Sequence, residues 1–143
     1  MIAVDTNLLV YAHRRDSPFN EPSAKVVREL AQGTTAWAIP WSCVFEFFSI
    51  VTHPRIYRPP STPVQAVRQI EAWLESPSLL LLADSETMKP LFASVLTKGQ
   101  ISGGQVHDAR IAMICAVNGV DELYSADRDF SRFPFLRTRN PLL

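Results

Sequence analysis

The sequence predicts an α/β domain of three layers, in which helices cover both faces of a mainly parallel central sheet of four to five strands. Short apolar segments typical of buried strands alternate with longer segments typical of helices. The length of 143 residues fits one domain, and a hydrophobic content of 47% allows a sizeable core. We therefore expect residues 1–143 to form a single domain.

Five short segments rich in apolar residues are predicted as strands. Leu79–Leu82 consists only of leucine, and a continuous apolar run of this length is typical of a strand in a parallel sheet. The last segment is predicted as an edge strand. In chain order the five are Ile2–Val4, Ala36–Ile39, Leu79–Leu82, Glu122–Tyr124 and Leu136–Thr138.

Helices are predicted where capping residues or prolines precede apolar residues at helical spacing. Thr6 or Asn7 caps the first helix, and Ser85 caps a helix that runs to about Lys98. Trp41–Thr52 is apolar on nearly all sides, so it buries more than one face or packs against a partner. Three further helices are predicted. One begins at Asn20 or Glu21 and ends before Gly33, and another begins at Thr62 or Pro63 and ends at Ser76–Pro77. The third spans Val106–Asn118.

The segments between these elements are predicted as loops. His13–Glu21 is polar, and His53–Pro63 holds four prolines, so it cannot be helical throughout. Gly99–Gln105 is also predicted as a loop, and Ser125–Phe135 as a turn with one helical turn at most.

The N-terminus and the cysteines favour a soluble cytoplasmic protein. No signal peptide is expected, because Asp5 interrupts the N-terminal apolar segment. The most continuous aliphatic run, Leu79–Ala83, is too short to span a bilayer. Cys43 and Cys115 lie far apart in apolar segments and have no partners at zinc spacing, so we expect reduced core thiols.

Four acidic residues stand out because of their positions relative to the predicted elements. Asp5 and Asp127 directly follow strands, Glu46 lies inside the apolar helix, and Asp108 opens a helix after a glycine-containing loop. In a parallel sheet such positions converge on the edge formed by the carboxyl ends of the strands, where open α/β sheets bind ligands.

Each of these acids also has a purely structural interpretation. Asp5 and Asp127 can be turn residues, Asp108 in a first turn complements the helix dipole, and Glu46 can lie partly exposed on a surface stripe. Read together, the four favour a shared site, because crowded carboxylates must be protonated or neutralised by a cation. A ligand set made only of oxygen favours Mg²⁺ or Mn²⁺, which activate water and stabilise phosphoryl oxygens during hydrolysis.

The charge balance is compatible with an acidic site that faces a polyanion. The formal net charge is zero, so overall charge gives no sign of nucleic-acid binding. Without the four acids the remainder of the chain carries 14 − 10 = +4. An acidic centre on a mildly basic body suits a metal site that acts on nucleic acid.

Four motifs in order resemble the PIN domain family, and more closely the VapC-type toxin ribonucleases of bacterial toxin–antitoxin pairs. The motifs are DTNLLVYA at the start, Glu46 in an apolar helix, HDARIA at 107–112 and SADRDF at 125–130. The resemblance covers essentially the whole chain, and it rests on the order and spacing of the motifs.

The resemblance implies a parallel sheet between helices and an Mg²⁺- or Mn²⁺-dependent cut of RNA, with tRNA, rRNA or mRNA as substrate. By motif, Asp5, Glu46, Asp108 and Asp127 are the catalytic and metal-binding acids. Asp129 is a candidate for the outer shell of the metal, where it would not bind the ion directly. Thr6, Asn7 and Ser125 are supporting residues. The resemblance also implies a homodimer and a small VapB-like antitoxin that blocks the site.

Arginines near these segments are candidates for contacts with RNA phosphates, since neutralising phosphates supplies much of the affinity for RNA. For each arginine taken singly, a solvated surface position is the alternative. The candidates are Arg14, Arg15, Arg55, Arg58, Arg110, Arg128 and Arg132. The leading candidates among them are Arg14, Arg15, Arg55, Arg110 and Arg128.

Two other functions are compatible with parts of this pattern. One is a catalytically weak module that binds RNA or protein through the same fold, although the presence of all four acids argues against it. The other is a phosphatase with an aspartate nucleophile, which would need a second aspartate where Asn7 stands.

Overall fold

The computed structural model describes residues 1–143, and its centre is a five-stranded sheet in which every strand pairing is parallel. The spatial order is β3-β2-β1-β4-β5, so β1 occupies the middle. The strands are β1 Ile2–Val4, β2 Trp37–Pro40, β3 Leu79–Leu82, β4 Glu122–Tyr124 and β5 Thr138–Arg139. The predicted three-layer fold with a mainly parallel sheet is therefore confirmed.

Six α-helices and three short 3₁₀ segments connect the strands. Because parallel crossovers are right-handed, the helices that follow β1 and β2 lie on one face of the sheet and those that follow β3 lie on the other. The helices are α1 Thr6–His13, α2 Asn20–Gln32, α3 Trp41–Val51, α4 Pro63–Leu74, α5 Lys89–Lys98 and α6 Val106–Val117. The 3₁₀ segments are Glu86–Met88, Gly103–Gln105 and Arg128–Arg132.

The core is built from the central strands and the helix faces that cover them. Val4, Ile39 and Leu123 from the sheet are almost completely buried, as is Phe47 of α3, which packs edge-on against Trp73 of α4 with ring centroids 4.8 Å apart. This packing stabilises α3 and α4 more than local sequence preference does, because isolated helices of this length are marginal in water. None of the helices is both long and apolar enough to cross a membrane.

The cap of the first helix differs from the predicted one. Asp5, and not Thr6 or Asn7, is the N-cap of α1, and its Oδ1 accepts a hydrogen bond from the Thr6 backbone N–H at 2.8 Å. The cap of α4 is the predicted Thr62, whose Oγ1 accepts from Gln65 N while Gln65 Oε1 accepts from Thr62 N. Asp5, which follows β1, thus caps α1 and also places a carboxylate at the end of the strand.

Other differences are confined to the ends of elements. The second strand is displaced by one residue from Ala36–Ile39 to β2, and α3 ends at Val51 rather than Thr52. The helix expected after Ser85 begins as a 3₁₀ turn, because the Ser85 hydroxyl bonds Thr87 instead of capping the backbone.

The last strand also begins later than predicted. β5 is Thr138–Arg139 instead of Leu136–Thr138, because the Leu136 N–H bonds Phe133 O within a turn. The ladder to β4 is made instead by the Arg137 and Arg139 carbonyls, which accept from Leu123 N and Ser125 N. Residues 125–135 contain the single short helical segment that the sequence predicts.

Candidate active site

Asp5 lies at the carboxyl end of the central strand and is almost completely buried, with 5% of its surface exposed. Its backbone N–H donates to Tyr124 O at 2.9 Å, which continues the β1–β4 pairing one residue beyond the strand. This pairing fixes the Asp5 backbone, and the start of α1 fixes its side chain. The position is the edge at which parallel α/β sheets place their ligands.

Ser125 connects Asp5 to the loop that carries the next acids. The buried Ser125 hydroxyl donates to Asp5 Oδ2 at 2.7 Å and accepts from Asp127 N at 3.0 Å. Asn7 Oδ1 accepts from Ala126 N at 3.3 Å, so α1 also holds this loop. Thr6 contributes its backbone N–H, while its buried hydroxyl has no hydrogen-bond partner. The predicted supporting residues therefore lie around Asp5, although Thr6 acts through its main chain.

Burial raises the pKa of Asp5 from 3.8 to about 7. Hydrogen bonds from Ser125 and from the Thr6 backbone oppose this shift, and the negative charges of Glu46 and Asp108 add to it. A carboxylate that is costly to ionise in the apo protein becomes easy to ionise when a cation is bound beside it.

Asp108, Asp127 and Asp129 form a second group of acids next to Asp5. Their nearest carboxylate oxygens all lie within 4.8 Å of one another. Asp127 caps the 3₁₀ segment, with its Oδ1 accepting from Asp129 N at 2.8 Å. Burial, together with the charges of Asp127, Glu46 and Asp129, raises the pKa of Asp108 from 3.8 to about 6. The structure thus brings Asp129, like the predicted ligand Asp127, within 4.8 Å of Asp108.

Glu46 lies on α3 and is exposed, in spite of the apolar residues around it in sequence. The apolar residues of α3 do not all lie in the core. Cys43, Val44 and Phe47 are buried on one side of the helix, and Phe45 is exposed on another. The charge of Glu46 acts on both Asp5 and Asp108, although Asp5 and Glu46 lie outside the group formed by Asp108, Asp127 and Asp129.

The chemistry of this group fits a hard divalent cation. No lysine or arginine forms an ion pair with Asp5, Asp108, Asp127 or Asp129 in the structure; the salt bridges lie elsewhere. Carboxylates gathered without a protein cation are the ligands that Mg²⁺ and Mn²⁺ prefer. Asp108, Asp127 and Asp129 are the residues whose spacing allows them to bind one ion together.

Cys43 is a neighbour of Asp5 that the sequence analysis missed. Its buried Sγ lies 3.9 Å from Asp5 Oδ1, and burial raises the pKa of the thiol well above 9.0, so it stays protonated and can donate to the carboxylate. The signal in the sequence was its position three residues before Glu46, on the same side of the helix.

Arg14 is occupied by contacts within the protein. Its guanidinium pairs with Asp16 at 2.6 Å, donates to Ser61 Oγ and Pro59 O, and lies 4.3 Å from the centre of the Tyr57 ring. With only 11% of its side chain exposed, Arg14 fixes the segment before α4 rather than offering a free charge. The other leading arginines, Arg15, Arg55, Arg110 and Arg128, are exposed.

Substitutions at the two aspartates of the 3₁₀ turn should separate their roles. We expect Asp127→Asn to weaken Mn²⁺ binding about tenfold, and Asp129→Asn to weaken it less. The reason is that Asp127 is half-buried and held by two hydrogen bonds, whereas Asp129 is exposed. Titration calorimetry with Mn²⁺ measures both affinities. Equal losses, or a larger loss at Asp129, would contradict this order.

Comparison with known proteins finds a matching domain family and two similar ribonucleases. The family model for the PIN domain matches residues 2–136. The chain is 32% identical over 142 residues to Ribonuclease VapC43 of Mycobacterium tuberculosis, covering 99% of this chain and 96% of that protein. It is also 28% identical over 137 residues to Ribonuclease VapC48 of the same organism, with 96% and 94% covered.

Solved structures show the same architecture. VapBC2 from Rickettsia felis, bound to a DNA fragment from its promoter, matches with a TM-score of 0.68 and 21% identity, covering 97% of this chain and 98% of that chain. VapC20 of Mycobacterium tuberculosis, described as a Sarcin-Ricin loop cleaving toxin, matches with a TM-score of 0.68 and 16% identity, covering 97% and 99%. At these identities the likeness concerns the fold.

Proposed function

The chain belongs to the PIN domain family and within it to the VapC ribonucleases, and from this premise we propose that residues 1–143 form a single PIN domain that cleaves RNA with Mg²⁺ or Mn²⁺. The biological role that follows is that of the toxin in a toxin–antitoxin pair. The catalytic and metal-binding residues are Asp5, Glu46, Asp108 and Asp127, and Asp129 joins them.

The observation that carries this proposal is the convergence of unpaired carboxylates at one edge of the sheet. Asp108, Asp127 and Asp129 lie within 4.8 Å of one another, and Asp5 is held next to them by Ser125. Ionised carboxylates this close repel one another, and a bound cation relieves that repulsion.

Each residue of the site has a distinct task in this proposal. Ser125 and the Thr6 backbone hold both oxygens of Asp5 in place, so the carboxylate is oriented before any ligand binds. Asp108, Asp127 and Asp129 supply exposed or half-buried oxygens that can hold the ion. When bound, a divalent ion supplies activation of water and neutralisation of charge on the phosphate.

A module of the same fold that binds RNA or protein without cutting it is the alternative. The test is incubation of the purified protein with labelled RNA in the presence and absence of Mg²⁺ or Mn²⁺. Fragments that appear only with the metal support the ribonuclease, and stable RNA binding without fragments from any RNA supports the binding module. The phosphatase alternative stays disfavoured, because Asn7 accepts a hydrogen bond from Ala126 and cannot act as an acid.

The partner we propose is a small VapB-like antitoxin that covers the groove near Glu46. The support is the family membership together with the similarity to the VapBC2 assembly from Rickettsia felis. Glu46 and its neighbour Phe45 on α3 are exposed, so a bound segment can contact both an acidic and an apolar side chain of this surface.

We also propose that the protein is a homodimer and that α3 contributes to the interface. Trp41 and Phe45 are 39% and 71% exposed, and their rings lie 6.3 Å apart, so they form one apolar patch. Exposed apolar patches of this kind mark interaction sites.

Sedimentation of the isolated chain should therefore show a dimer, and Phe45→Ser should shift it toward the monomer. Phe92→Ser is the matched control, because Phe92 is 55% exposed but lies on α5. A chain that sediments only as a monomer at high micromolar concentration would exclude the dimer. An equal effect of both substitutions would exclude α3 as its interface.

A further inference from the structure

A groove of about 240 Å³ lies between α3 and α6, next to the acidic group. Ser42 and Glu46, one helical turn apart, form the α3 wall, and His107, Arg110 and Ile111 form the α6 wall. Glu46 lines the groove and His107 directly precedes Asp108 on α6, so the groove lies beside the acidic group. The groove therefore borders the position of the bond that is cut in the proposed function.

The groove contains one firmly oriented cation. The Arg110 guanidinium donates to both oxygens of Asp84, from Nε at 2.9 Å and from one terminal nitrogen at 2.5 Å. Asp84 follows β3, so it is anchored to the sheet, while Arg110 belongs to α6. A two-point contact of this kind fixes the plane of the guanidinium. The other terminal nitrogen makes no hydrogen bond, and 45% of the side chain stays exposed.

The other polar groups of the groove also have capacity left for a ligand. His107 is exposed and makes no hydrogen bond through its side chain. The Ser42 hydroxyl is buried and has no hydrogen-bond partner within the protein, which is costly unless something else satisfies it. Arg110 and His107 thus offer free donor atoms in a groove that Glu46 also lines, beside an acidic group that by itself repels a polyanion.

We propose that Arg110, held in place by Asp84, binds an RNA phosphate adjacent to the phosphate that is cut. This inference rests on the proposed ribonuclease function. An acidic centre needs neighbouring cations to hold a negatively charged strand across it. Phosphate contacts set the position of a nucleic acid, so Arg110 is a residue for substrate binding and Asp84 is its positioning residue.

Single-turnover cleavage of a labelled RNA that the unaltered protein cuts, at increasing KCl and constant Mg²⁺, tests this inference. The half-saturating protein concentration reports binding, and its dependence on salt reports the number of phosphate contacts. The variants are Arg110→Gln and Asp84→Asn. Arg137→Gln is the matched control, because Arg137 is an exposed arginine paired with Glu122, which lies at the opposite end of its strand from the site.

We expect Arg110→Gln to raise the half-saturating concentration about fivefold and to lower the slope of log affinity against log salt by about 0.7, which is the value for one phosphate contact on single-stranded nucleic acid. The maximal rate should change less than twofold. Asp84→Asn should weaken binding and keep the slope, because the positive charge of Arg110 remains. Arg137→Gln should match the unaltered protein.

Two results would overturn the inference. One is an unchanged slope in Arg110→Gln. The other is an equal loss of maximal rate in Arg110→Gln and Asp84→Asn, because a purely structural ion pair would behave in that way. Both results require that the unaltered protein cleaves RNA, so they differ from a failure of the proposed function, in which no RNA is cut with any divalent ion.

Discussion

Replacing Asp5 by asparagine is expected to lower RNA cleavage at least a hundredfold and, at the same time, to make the metal-free protein more stable at pH 8. Asparagine keeps the size of the side chain. Its oxygen can accept from the Thr6 backbone and its NH₂ can donate to the Ser125 hydroxyl, so the fold should survive. The substitution removes the charge that a cation needs, and with it the cost of burying that charge.

The pH dependence of this stabilisation has a definite sign. The pKa of Asp5 is raised from 3.8 to about 7 in the folded protein, so the folded state holds this proton more tightly than the unfolded state. Stability contributed by the protonated group is present below pH 4 and is lost as the pH rises to about 7. The Asp5→Asn protein avoids that loss, and its advantage should grow from pH 4 to pH 7 and reach the order of 2 kcal/mol.

Thermal or denaturant unfolding in EDTA at several pH values measures this advantage, and cleavage of labelled RNA measures the loss of activity. Glu71→Gln is the control, because it removes an exposed acid on α4 without touching the site. Cleavage that persists in a folded Asp5→Asn protein would refute the catalytic assignment. An Asn variant that is less stable at pH 8 would refute the burial cost.

Removing divalent ions is expected to abolish cleavage, and adding Mg²⁺ or Mn²⁺ should restore it. The carboxylates that gather at the sheet edge have no lysine or arginine partner to replace the ion. Hydrolysis by water breaks the bond between phosphorus and the 3′ oxygen, so the fragments should carry a 5′ phosphate and a 3′ hydroxyl. Ribonucleases that need no metal use the 2′ hydroxyl instead and leave a cyclic phosphate.

The affinity for the metal should increase with pH in the range where the buried acids lose their protons. The pKa of Asp108 is about 6 and that of Asp5 about 7, and in the proposed site both acids bind the cation in their ionised form. Mn²⁺ affinity should therefore rise roughly tenfold or more between pH 5.5 and 7.5. Calorimetry gives the affinity, and analysis of RNA ends gives the chemistry. Cleavage in EDTA, cyclic phosphate ends, or an affinity that is independent of pH would each contradict this mechanism.

Local sequence was sufficient to predict the alternation of strands and helices and the elements that carry the acids. Leu79–Leu82 and Glu122–Tyr124 match their predicted bounds. For the four leucines the reason is that a short apolar run between turn residues has few alternatives to a strand. Asp5 could be placed at the end of β1, and Asp108 in the first turn of α6, from the residues on either side of them. The element ends that were displaced, such as those of β5, depend on pairing with distant strands.

The sequence by itself therefore determined the fold class, the family and the segments from which the acids come. Only the tertiary structure decided which side chains meet: Asp129 with Asp108, the Cys43 thiol with Asp5, Asp84 with Arg110, and Arg14 with its own loop. The physical reason is that periodicity and turn residues act over a few positions, whereas these contacts join segments that the parallel sheet brings together. The pKa values of Asp5 and Asp108 follow from that burial and from those neighbours, so no local pattern could have predicted them.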